Sequence, residues 1–329
     1  MSEAATTGIR FERRGHAGVV TLARPQALNA VTHAMVRALA EQLDAWEADD
    51  AVRHVVIRAE GRAFSVGGDI RHLHERRRDP DIAFFRDEYR LNSRIHHFPK
   101  PFVALVHGLV MGGGVGVSLH GSHVVAGPDM AFAMPEVGIG FFPDVGATHL
   151  LNRLPEPLGM ELGLTGRRLD ADACLAVGVA THRADDLDAV LERLTRMDVD
   201  GALGGLVRSG TVPDAEPAFA APSVQAIMDE APPATVETLR AKSPTSLLVA
   251  HRQLREGRGV GFDDAMRLEF RIVSRILHGH DFYEGIRAQV IDKDRAPRWR
   301  PARVEEVDPD AVAAHFEPLE RELDLADAP

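Results

Sequence analysis

The chain has 329 residues, of which 45% are hydrophobic and 26% charged, with a net charge of −11. This composition belongs to a folded globular protein with room for a sizeable core, not to a disordered chain. The acidic balance gives nucleic acid and anionic lipid no attracting field, and no apolar run reaches the length of about 18 residues that a membrane span needs.

The N-terminal stretch MSEAATTGIRFERRG has no apolar signal core. Residues 16–23 (HAGVVTLA) read as a strand. The next element is a helix opened by Thr32 as N-cap, with Leu39, Leu43 and Trp46 at helical spacing. Residues 52–59 form a second strand, and AFSVGGDI (63–70) is a glycine turn leading into a polar helix. The basic run Arg76-Arg77-Arg78 is flanked by acids and reads as a solvated face. Residues 80–98 read as a helix on which Phe84, Phe85, Leu91 and Ile95 share a side with Glu88. An acid inside an apolar stripe is paired, or buried with a raised pKa, or turned toward a pocket.

Residues 101–107 are a third strand. The run Gly112-Gly113-Gly114-Val115-Gly116 follows it and opens a helix. Unpaired N–H groups converge there, so the run is either an oxyanion or phosphate site or only a tight strand–helix turn. The dinucleotide fingerprint fails because Val117 stands where its third glycine belongs, and no Gly-Lys-Ser/Thr follows. Ser65-Val66-Gly67-Gly68-Asp69 is a second such turn, and two turns together could present two N–H groups to one carbonyl oxygen. Residues 122–127 and AFAMPEV add short strands. MPEVGIGFFPDVG (134–146) then sets two acids, Glu136 and Asp144, each after a proline, in an otherwise apolar segment. Two carboxyls in one pocket can divide acid and base roles by environment.

Cys174, the single cysteine, lies in a helix capped by Asp170 and reads as a packing residue. One cysteine fits a reducing compartment, and arginine in place of lysine almost throughout fits a GC-rich bacterial genome; together they predict a cytoplasmic protein. No histidine or cysteine cluster has metal-ligand spacing, and the Gly-x-Ser-x-Gly elbow of serine hydrolases is missing. Strands alternating with helices give an α/β class with parallel pairing. The expected organisation is a core over 1–200, a Gly/Ala/Pro-rich linker over 201–222 and a helical region over 223–329. In that last region Ser243-Pro244 opens a helix, Gly257 stops it, and 262–277 is a second helix.

Taken together, RPQALNA (24–30), AFSVGGDI (63–70) and HGLVMGGGVG (107–116) resemble, in this order, the crotonase (enoyl-CoA hydratase/isomerase) superfamily. FAMPEVGIGFFPDVG (132–146), KSPTSL (242–247) and DFYEGIRAQVIDKDRAPRW (281–299) are similar to its 3-hydroxyisobutyryl-CoA hydrolase family. The resemblance implies a spiral of ββα units with C-terminal helices covering an acyl-CoA site, and hydrolysis of a short 3-hydroxyacyl-CoA to free acid and CoA, as in valine catabolism. It places the oxyanion hole at the N–H groups of Val66 and Gly113, and catalysis at Glu136 and Asp144. Substrate contacts fall to Glu88, Gly113, Glu136 and Asp144. Of the two glutamates of a hydratase, the first falls at Gly116 and is missing; the second is Glu136. The resemblance requires no metal and no cofactor beyond the CoA of the substrate, and leaves homo-oligomerisation open. The readings that compete are an enoyl-CoA hydratase/isomerase of the same fold and a non-catalytic CoA-binding module.

Overall fold

Apolar runs without strict alternation become strands covered on both faces. In chain order these are β1 (Ile9–Arg14), β2 (Ala17–Leu22), β3 (His54–Ala59), β4 (Ala63–Ser65), β5 (Phe102–Val106), β6 (Leu109–Met111), β7 (His123–Ala126), β8 (Ala131–Ala133), β9 (Leu169–Asp170) and β10 (His182–Arg183). The computed structural model describes residues 8–78, 80 and 82–325. Residues 1–7 and 326–329, the outer ends of the expected core and C-terminal region, lie outside it, and so does the start of the stretch read for a signal core.

One sheet has the order β1-β2-β3-β5-β7-β10, the other β4-β6-β8-β9. β2, β3, β5, β7 and β10 run parallel, and β1 pairs antiparallel with β2. The chain steps from the larger sheet to the smaller at β3–β4, β5–β6 and β7–β8. It returns through helices after β4 (Ile70–Glu75 and Ile82–His96) and after β6 (Gly113–Gly116). Repetition of that step is the ββα spiral expected from the sequence.

Alternate residues of the parallel strands serve two cores. Val55, Ile57, Phe102, Ala104 and Val106 face the main core. Val56, Val103, Leu105 and Val125 face a second one closed by Val190, Leu191 and Leu194. Within 201–222, Ala202 and Leu203 enter the second core and Phe219 the main core, while Val207 and Val212 are exposed. The main core continues into the helices Pro244–Glu256, Phe262–Ile276 and His280–Ile286.

The expected caps form. Thr32 accepts from the Met35 N–H, Asp170 from Ala173 and Ser243 from Ser246. Gly257 does end its helix, but at φ −77°, so the left-handed stop is not used. β1 escapes the sequence pattern because its exposed face is charged and only Ile9 is buried.

The RPQALNA segment is tied to the spiral by Asn29, which is fully buried at φ +55°. Its side-chain oxygen accepts from the Arg24 N–H, and its amide donates to the carbonyls of Glu60 and Ala63. Asparagine tolerates this conformation better than most residues. Asn29→Ala removes the partner of three backbone groups, one buried and two part-buried, and should destabilise the fold by about 2 kcal/mol, read as a lower urea midpoint with unchanged slope.

Candidate active site

The turns after β4 and β6 lie side by side, and the Glu136–Ile139 turn after β8 closes over them. Together with the Ile82–His96 helix and the C-terminal helices they enclose a cavity of about 350 Å³. Val66, Gly113, Glu88, Glu136 and Asp144, separated by up to 78 positions in the chain, all line it.

The glycines explain how carboxyls reach the backbone. A Cβ on Gly112 would lie 3.2 Å from Glu136 Oε1, and one on Gly113 would lie 2.7 Å from Glu88 Oε1. Only hydrogen on these α-carbons lets both acids close on the peptide. Gly113 begins the Gly113–Gly116 turn, where an N–H has no partner four residues back. The Val66 N–H donates to the Leu28 carbonyl over 3.2 Å. A ligand oxygen at Val66 therefore competes with that carbonyl for the N–H.

Glu88, Glu136 and Asp144 are each at most 5% exposed. Phe84, Phe85, Phe141 and Phe282 wall the cavity, with the Phe141 and Phe282 rings 4.8 Å apart. Glu88 and Glu136 are raised well above the usual carboxyl range, by burial first and then by the charge of Asp144. Burial lifts Asp144 to about 7, although Tyr89 donates its hydroxyl to Asp144 Oδ2 over 2.9 Å and pulls the other way. Glu88 Oε1 and Glu136 Oε2 are buried with no hydrogen-bond partner among the described residues. Lys242 is the basic residue in the lining; its amine lies over Gly138, and burial lowers its pKa. Among the described residues no group of histidine, cysteine or carboxylate side chains could hold a metal ion. Cys174 packs in the core, its thiol pushed up to about 12 by burial.

Asp144 sits in a strained turn. Val145 is β-branched yet lies at φ +54°, and Gly146 at +88°. Four side chains hold it. Tyr89 takes Asp144, His120 Nε2 donates to the Val145 carbonyl over 2.6 Å, and Gln253 donates to the Pro143 carbonyl and to Thr148. Glu269 accepts the N–H groups of Gly146 and Thr148 at 2.7 and 2.8 Å. Sequence reasoning missed Tyr89, His120, Gln253, Lys242 and Glu269. Glu269 carried the same signal as Glu88, an acid beside Ala265, Met266, Phe270 and Val273 on a buried helix face.

A family model described as enoyl-CoA hydratase/isomerase matches residues 17–316. The 3-hydroxyisobutyryl-CoA hydrolase of Danio rerio is 39% identical, with 99% of this chain and 94% of that protein covered. The human protein of the same name is 37% identical over 96% and 90%. The chain belongs to the 3-hydroxyisobutyryl-CoA hydrolase family, within the crotonase superfamily. Two solved structures share its family fold along almost the whole length. A Mycobacterium thermoresistibile structure titled carnitinyl-CoA dehydratase has a TM-score of 0.89 and 36% identity, covering 97% of this chain and 99% of its own. A Rhodobacter sphaeroides structure titled enoyl-CoA hydratase has a TM-score of 0.86 and 38% identity, covering 95% and 98%. The cytoplasmic location expected from composition is corrected by these comparisons, because the curated relatives are mitochondrial. A single cysteine marks a reducing interior without saying which one.

Position 116, where the resemblance puts the first acid of a hydratase, is closed in this chain. A Cβ on Gly116 would meet Asn92 Nδ2 at 2.7 Å and Val145 Cβ at 3.0 Å. Gly116→Glu is therefore expected to lower stability by about 3 kcal/mol from overpacking without producing crotonyl-CoA hydration, checked by thermal melting and a hydration assay.

The raised carboxyls also set a pH dependence. Asp144 (about 7) and Glu269 (about 8) hold protons in the folded state that they have lost when unfolded. Their stabilising contribution is present at low pH and is lost as pH rises through these values. The buried histidines act in the opposite sense only below their ordinary pKa, since burial lowers His96, His120 and His251. Between pH 7 and 8.5 the melting temperature should therefore fall, and the fall should be shallower in Glu269→Gln.

Proposed function

We propose that this chain is an acyl-CoA thioesterase that hydrolyses a short 3-hydroxyacyl-CoA of the 3-hydroxyisobutyryl type to the free acid and CoA. The observation that carries the reading is the presence of Glu136 and Asp144 in one cavity with Gly113, while position 116, where the resemblance puts the first hydratase acid, has no room for a side chain.

The thioester carbonyl lies against the Gly113 N–H, and the Val66 N–H turns to it from the Leu28 carbonyl. Two such donors stabilise the oxyanion; losing one typically costs about 2.7–4 kcal/mol at the transition state. Glu136, unpartnered at Oε2 and with a pKa raised by burial, acts in one of two ways. It attacks the carbonyl carbon, the C–S bond breaks, CoA leaves as thiolate and takes up a proton, and water cleaves the resulting anhydride. Alternatively it takes a proton from a water that attacks directly. Asp144, held by Tyr89, receives the substrate 3-hydroxyl or that water, and Glu88 borders the acyl group. The chemistry uses no metal and no cofactor. A 3-hydroxyisobutyryl thioester would place the step in valine catabolism.

The test is thiol release from a panel of acyl-CoAs with and without a 3-hydroxyl. Glu136→Gln should lose about 10²–10⁴-fold in rate, and Asp144→Asn should lose most on the hydroxylated substrates. A single turnover in ¹⁸O-water, followed by mass spectrometry of the Glu136 peptide, separates the two routes. Hydration of crotonyl-CoA without release of CoA would sink the proposal in favour of a hydratase.

A further inference from the structure

The geometry points to Glu269 as a positioning residue: from behind the cavity, its carboxyl group holds the Val145–Gly146 turn and so sets where Asp144 presents its oxygens. This rests on the hydrolase reading only for what Asp144 does to substrate; the placement of Asp144 stands without it.

Glu269 is fully buried in the Phe262–Ile276 helix and does not line the cavity, so it does not touch substrate. Both its oxygens are committed to the turn, Oε2 to the Gly146 N–H at 2.7 Å and Oε1 to the Thr148 N–H at 2.8 Å. The turn needs holding. A valine at φ +54° costs on the order of 1–3 kcal/mol, and such backbone persists only where its surroundings over-determine it. Glu269 pulls on the N–H side of the turn, while His120 and Gln253 pull on its carbonyls at Val145 and Pro143. Asp144 is left as the residue whose side chain faces the cavity, fixed at its far end by Tyr89.

The apposition is costly enough to need a reason. Burial and the charge of Asp144 together raise Glu269 to about 8, and the charge of Glu269 is felt in turn by Tyr89 and Glu136. A glutamine would satisfy only one of the two N–H groups and would turn a donor toward the other. A carboxyl group instead offers an acceptor oxygen to each of the two.

Glu269→Gln keeps the shape and turns an amide N–H₂ toward one backbone N–H. The expected result is a folded protein whose kcat falls about 10- to 100-fold, as a misplacement on the order of 1 Å can produce, while KM changes less than about threefold. A second readout is independent of turnover: ¹³C-carboxyl NMR of labelled aspartate, with Asp144→Asn giving the assignment. In Glu269→Gln the Asp144 resonance should titrate at higher pH, because a relaxed turn withdraws it from the Tyr89 hydroxyl that lowers its pKa. Glu269→Asp, which keeps the charge but shortens the reach, should show a smaller change of the same sign. Wild-type kcat together with wild-type titration of Asp144 in Glu269→Gln would overturn the inference. Failure of both variants to fold would also overturn it, in favour of a structural role alone. If the wild-type protein releases no thiol from any acyl-CoA, the hydrolase reading fails, and the Asp144 titration still decides the role of Glu269.

Discussion

Four carboxyl groups, Glu88, Glu136, Asp144 and Glu269, are buried around one apolar seam, and the rest of the site is organised by the cost of putting them there. Water is the usual solvent for a carboxylate, and removing it disfavours the charged form steeply. Here the compensation is uneven. Glu269 receives two backbone N–H groups, Asp144 receives one phenol, and Glu88 and Glu136 each keep an oxygen with no partner among the described residues. The acid with most support, Glu269, is the one behind the cavity, and the three that face it are held by one phenol at most among the hydrogen bonds described. A carboxyl whose pKa is driven upward by its walls is a stronger base and nucleophile once ionised, which suits an attack on a thioester.

The fold makes that burial possible by placing glycine where the acids close in. The spiral brings the ends of β4 and β6 together, and each is followed by glycine: Gly67-Gly68 after the first, Gly112-Gly113-Gly114 after the second. A strand end supplies backbone N–H groups, and the missing Cβ supplies the space. The C-terminal helices then seal the seam with Phe282 from one and Glu269 from another. Ser243 and Asp281 join these helices through a 2.7 Å hydrogen bond, and the Asp281 carboxylate also takes the Arg300 N–H. The two long motifs outside the generic core thus fasten the cover over the acids.

Much of this was legible in the sequence, for identifiable reasons. Glu88, Glu136 and Asp144 stood out because each is an acid among apolar neighbours, and burial is what such a pattern reports. The parallel strands were legible because both their faces are covered and their runs lack strict alternation. The supports of Asp144 were not legible in the same way. Tyr89 and Gln253 are ordinary residues on amphipathic helices, and nothing local says that they reach position 143 or 144. Glu269 was visible in principle, since it repeats the Glu88 pattern, but its helix gave no hint of which turn it would meet. The Val66 N–H shows the converse limit. A motif can mark a donor, while only the structure shows that Leu28 already holds it.

Position 116 bears on which of two chemistries the proposed site can run. Adding water across a double bond takes two acids about the substrate, whereas cleaving a thioester takes one base or nucleophile and a place for the leaving thiolate. In this chain the first hydratase acid is more than absent. Asn92, one helical turn beyond Glu88, and Val145, in the strained turn after Asp144, together fill the volume a side chain at 116 would enter. The strain at Val145 therefore has two consequences at once. It aims Asp144 into the cavity, and it helps close the space a hydratase would use. A side chain at 116 would require relaxing the turn that Glu269, His120 and Gln253 hold, and that would move Asp144 as well. The room at position 116 and the placement of Asp144 thus depend on a single piece of backbone.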